Sequence, residues 1–238
     1  MYNPSRRNRN IGTSKQGYRR NNKMVIPSVN RKAFYENLVD CYTVKKTIND
    51  HEFVFIVEKT KPNYKHACSI DDIIGIISYI QQEDYGDLRY FVLRQPKKKE
   101  VILSPVWGRW ILEYTFKKET NPAIVLEALD YTDTIEWSKK LCVEDQNELE
   151  RLIEDGHMII DSGRNYVINY DICSVRNTQL YRTIPHEFGH YVQYQSYVKS
   201  YSHEQWINFP SAEKEKFAHA YADNLLKDIK QMKVGTHK

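Results

Sequence analysis

Residues 186–190 read His186-Glu187-Phe188-Gly189-His190, two imidazoles four positions apart with a carboxylate directly after the first. On an α-helix, positions i and i+4 lie one turn apart on one face, so His186 and His190 can grip a single cation. Glu187 is turned about 100° from His186 and reaches a water beside the cation without being a ligand. The chemistry of such a set is hydrolysis. Zinc lowers the pKa of the water, and Glu187 takes its proton as the oxygen attacks a carbonyl carbon. In a chain with 8 histidines, chance supplies roughly 0.02 matches to this pattern, so the motif carries weight.

A catalytic zinc site normally has three protein ligands. The downstream candidates are His203, Glu204, Glu213, Glu215, His219 and Asp223. Gln193 and Ser196 exclude the compact HExxHxxGxxH arrangement. Glu215 is the best choice, because Ala218 and Ala222 share its helical face and let that helix lie close to the motif helix. Phe217, Tyr221, Leu225 and Leu226 are expected to fill the core. Glu213 has Lys216 and Phe217 at i+3 and i+4, a less consistent buried face. His219, one turn beyond Glu215, is expected to be exposed, with a position supporting a metal ligand from behind, or one facing the substrate, as the alternatives.

The motif followed by Glu215-Lys216-Phe217-Ala218-His219-Ala220-Tyr221 resembles the glutamate-zincin arrangement. It is similar to the IrrE/ImmA-like metallopeptidases and to the catalytic domain of anthrax lethal factor. The resemblance covers residues 180–226. It implies zinc on His186, His190 and Glu215, Glu187 as general base, and a cleft strand that pairs with an extended peptide, here residues 165–171. The lethal-factor group also implies a tyrosine shortly before the glutamate ligand, assisting the transition state. No tyrosine lies between Trp206 and Glu215, which leaves Tyr194, Tyr197 and Tyr201 open for that part.

These residues need elements to hold them. Pro185 predicts a helix that begins near it and runs over 185–199. A second helix is expected over 212–231, with 200–211 as a connection containing Pro210. Upstream, Phe34, Leu38, Cys41 and Tyr42 predict an amphipathic helix over 31–48. Residues 51–58 read as a strand. Ser69 caps a helix expected to reach about residue 81. Strands are expected at 88–94, 100–103 and 107–116, with 95–99 as a hairpin-like connection and Gly108 weakening the last. Residues 143–155 read as a polar helix, and 157–161 with 165–171 as a hairpin around Ser162-Gly163-Arg164. The order implies an α+β, zincin-like single domain, with a small mixed sheet against the motif helix and the C-terminal glutamate-ligand helix.

Residues 1–24 hold seven basic and no acidic residues, so the net charge of +4 leaves the rest of the chain at −3. That tail lacks apolar residues and reads as disordered and solvated, with contact to a polyanion as the alternative. Residues 25–238 read as the metallopeptidase domain, in which 25–150 could form a separate N-terminal subdomain. Four scattered cysteines suit a reducing compartment. No secretory signal or membrane-length apolar run is visible, so the expected location is cytoplasmic, although leaderless export leaves no sequence mark. The expected activity is that of a zinc endopeptidase acting on a protein or peptide. The alternative is a non-catalytic zinc-binding regulatory or interaction module.

Overall fold

Alternating β-branched and aromatic residues build a five-stranded mixed sheet at the centre of the computed structural model, which describes residues 34–97 and 107–235. The described residues form one compact unit. The basic tail, the strand expected at 100–103 and part of the 95–99 connection lie outside the described residues. The sheet is made of β1 (Cys41–Ile48), β2 (His51–Glu58), β4 (Tyr90–Arg94), β6 (Glu119–Glu127) and β5 (Gly108–Phe116), in that spatial order. The pairs at the two ends, β1 with β2 and β5 with β6, are antiparallel, while β2–β4 and β4–β6 are parallel. Asn49 and Asp50, both at positive φ, close the first hairpin with the twist a two-residue turn needs.

The two faces of the central strands bury different sets. Phe53, Phe55, Phe91, Leu93, Ile124 and Leu126 face the helical core, while Val54, Ile56, Tyr90, Val92, Ala123 and Val125 face the other way. Burial on both sides is why these strands read as nearly unbroken apolar runs.

Residues 34–48 are not a helix. Among the described residues a 3₁₀ turn at Phe34–Glu36 precedes β1, which pairs residue for residue with β2. The helical spacing there was shared by a short stretch rich in Thr and Val, and cross-strand pairing decided the outcome. Helix α1 (Ile70–Ile77) starts with a Ser69–Asp72 capping box but stops short of residue 81, where tighter i→i+3 bonds take over. Ile80 stays buried all the same.

Helix α2 (Val143–Glu154) follows β8 (Ile135–Ser138) and precedes the hairpin of β9 (Met158–Asp161) and β10 (Asn165–Asn169). Those three strands form their own sheet with β10 in the middle, and short β3 (Tyr64–Lys65) and β7 (Leu129–Asp130) pair separately. Helix α3 (Ile172–Thr178), a π turn (Gln179–Thr183) and helix α4 (Ile184–Val198) then run without a break. Two more helices follow, α5 (His203–Ile207) and α6 (Ser211–Gly235). The stretch read as a plain connection therefore holds α5, capped by Ser202 and Gln205. Phe217 of α6 is exposed rather than in the core, whereas Leu225 and Ile229 are buried. The four cysteines form no disulfide. No helix among the described residues is long and apolar enough to cross a membrane.

Candidate metal centre and cleft

The motif lies on α4, which begins at Ile184 with Pro185 in its first turn, as the proline predicts, but the chain just before it is already helical. Pro185 has no N–H and its ring would strike the carbonyl one turn back in a regular helix. The π turn just before it supplies the slack: Ile184 donates five residues back to Gln179 rather than four. Gln179 then bonds sideways, its Nε2 donating to the carbonyls of Trp107 at 3.0 Å and Glu127 at 2.9 Å. The widened turn is thereby pinned to the start of β5 and the end of β6.

On α4, Ile184, Phe188 and Tyr191 are buried toward the core, and His186, Glu187 and His190 are partly exposed. Gly189 sits where α6 crosses. A Cβ there would lie 2.8 Å from Ala218 Cα and 3.1 Å from Ala218 O, so only glycine permits this approach. Ala218 and Ala222 are both buried, as the helix-face argument expects.

The approach brings Glu215 against both histidines. Its Oε2 is 3.2 Å from His186 Nε2, and its Oε1 is 3.4 Å from His190 Nε2. Those two contacts hold its carboxyl well below the usual carboxylate range. Glu213 is exposed; its carbonyl receives Gln193 Nε2 at 3.4 Å. Glu187 Oε2 accepts the backbone N–H of Trp110 at 2.7 Å. Burial raises the pKa of Glu187, opposed by His186, His190 and that N–H.

The strand beside the motif is β5, not residues 165–171. Gly108 explains how it gets there: a Cβ at that position would lie 2.7 Å from Thr183 Cγ2 and 2.8 Å from Val125 O. The Trp110 ring packs on Tyr191 and Tyr194, at centroid distances of 6.0 and 5.5 Å. β10 belongs to the separate three-stranded sheet.

A cleft of ≈ 400 Å³ opens at His186, Glu187 and Glu215, with Trp107, Trp137, Tyr181 and α2 along its walls. None of Tyr194, Tyr197 and Tyr201 lines it. Tyr194 packs on Trp206 and its hydroxyl meets His203 Nδ1 at 3.3 Å; Tyr197 packs on Tyr201, Trp206 and Phe209.

His219 does line the cleft and is half-buried, contrary to the expectation of exposure. Its ring centroid is 4.6 Å from that of His186. His186, Glu215 and His219 each offer one ligand atom within 4.8 Å of the others. Burial, His186 and Arg151 lower the His219 pKa to about 4.

Behind the cleft runs a polar network. Arg182 bonds Glu148 at 2.7 Å and Asp155 at 3.3 Å, and Thr178 Oγ1 donates to Asp155 at 2.7 Å. His157 Nε2 meets Thr178 Oγ1 at 2.8 Å. No family model, curated protein or solved structure matches this chain, so any reading of the site stands on its own residues.

Proposed function

We propose that the protein is a zinc-dependent metallopeptidase of the glutamate-zincin type, with an α+β zincin-like domain, hydrolysing a peptide bond in a protein or peptide. The observation that carries this reading is Glu215, brought from a second helix so that each carboxylate oxygen faces one motif histidine. The donor set fits zinc: two imidazoles and one ionised carboxylate, on two helices held together by Gly189 and Ala218. When bound, zinc supplies Lewis acidity toward a carbonyl oxygen and lowers the pKa of a water.

The protein's own groups do the rest. Glu187 Oε2 is anchored by Trp110 N–H, which leaves Oε1 to take the proton of the attacking water. Burial makes that carboxylate a better base than an exposed one. The proton then passes to the leaving amine. The cleft walls hold an extended chain across the site and limit water around it.

The test is Glu187→Gln beside metal analysis. Wild-type protein should hold about one zinc per chain, and the variant should hold as much. Its hydrolysis of any peptide that the wild type cleaves in a chelator-sensitive way should fall about 10²–10⁴-fold. Protein that binds no transition metal, or a variant with full activity, sinks the reading. Zinc bound with no cleavage of any peptide makes the domain a zinc-binding interaction module instead.

A further inference from the structure

The metallopeptidase reading leaves one task without an owner: a donor for the scissile carbonyl oxygen as it gains negative charge. The three tyrosines weighed for it lie outside the cleft. His219 lies inside it, one helical turn beyond Glu215 and in ring contact with His186.

His219 could be a fourth ligand, a bystander or a donor, and its partner discriminates among these. Arg151 Nη1 is 3.3 Å from His219 Nδ1. A guanidinium only donates, so Nδ1 must accept, and the single proton of the neutral ring sits on Nε2. A nitrogen that carries a proton has no lone pair to offer a cation. Arg151 is itself held: Glu148, 3.8 Å away, also grips Arg182, which reaches the buried Asp155. The tautomer is thus set by a framework running from α2 to the π turn.

We propose that His219, with its tautomer fixed by Arg151, donates its Nε2–H to the carbonyl oxygen of the bond being cleaved. The proposal rests on the metallopeptidase reading. His219 keeps its proton throughout; the bond strengthens only as the oxygen becomes negative. Arg151 is a positioning residue.

The test starts with wild-type protein carrying nitrogen-labelled histidine and loaded with NMR-active cadmium. Metal–nitrogen coupling should appear at His186 and His190, while His219 shows an Nε2–H and no coupling. In the zinc protein, His219→Ala should bind the metal within about 3-fold of wild type. Its kcat on a peptide the wild type cleaves should fall about 10²–10³-fold, with KM little changed. His219→Gln, which retains an N–H donor, should recover part of that loss. Arg151→Met should lower kcat about 10-fold and blur the tautomer signal. Coupling at His219, zinc loss in His219→Ala, or an unchanged kcat each overturns the proposal. Failure of the underlying reading is distinguished by the Glu187→Gln control, which would then keep full activity, or by absence of bound metal.

Discussion

At the scale of single residues, the choice between Glu213 and Glu215 is the sharpest one. They are two positions apart, so a helix turns one about 200° from the other, and only one can face α4. Glu215 faces the two histidines. Glu215→Ala should weaken zinc binding by about 100-fold or more, beyond the 10–100-fold typical of outer contacts. Glu213→Ala should leave it within about 3-fold. Competition against a chromophoric chelator measures both, and the opposite ranking would refute this ligand set. Glu215 was legible because i+3 and i+7 alanines mark a close helix face. The half-buried place of His219 was not, because it meets Arg151, 68 positions away on a helix whose placement no local pattern reveals. Tyr194 misled for a related reason. It is one turn from His190, yet that turn carries it past the cleft and onto Trp206.

At the scale of elements, the crossing of α4 and α6 decides whether Glu215 meets the two motif histidines. Gly189→Ala gains about 1 kcal/mol of helix propensity but forces a methyl into backbone. Overpacking of this kind costs about 1–3 kcal/mol. The variant should therefore be less stable by up to about 2 kcal/mol and bind zinc more weakly, since the helices must part. Urea unfolding and chelator competition read the two effects. Ala218→Gly should not rescue it, because the clash is with Ala218 Cα and O rather than its methyl; a full rescue would discredit the account. The helices over 143–154 and 211–235 and the 158–169 hairpin were legible from period and turn residues. The start of α4 beside Pro185 was legible too; the π turn that joins it to α3 was not, because a widened turn leaves no residue pattern of its own.

At the scale of the molecule, the polar network behind the cleft makes stability depend on pH. Thr178 has one hydroxyl proton and gives it to Asp155, so His157 must donate from Nε2. His157 Nδ1 is buried with no hydrogen-bond partner among the described residues. Protonating it would bury an unpartnered charge, and burial lowers the pKa of His157 to about 4. The native state therefore binds fewer protons than the unfolded chain, whose histidine titrates near 6.5. The contribution is full above pH 6.5 and is lost as pH falls toward 4. In chelator, the gap in unfolding free energy between pH 7 and pH 4.5 should shrink by about 2 kcal/mol in His157→Gln. An unchanged gap would place the acid sensitivity elsewhere. The five-stranded sheet has a consequence of its own. β5 is an edge strand, and a strand edge with unused N–H groups invites pairing with another copy of the chain, the first step of aggregation. Glu187 occupies the Trp110 N–H on that edge. The carboxylate assigned to chemistry therefore also acts as a stopper, and stripping it to alanine exposes a sticky edge that the glutamine variant keeps covered.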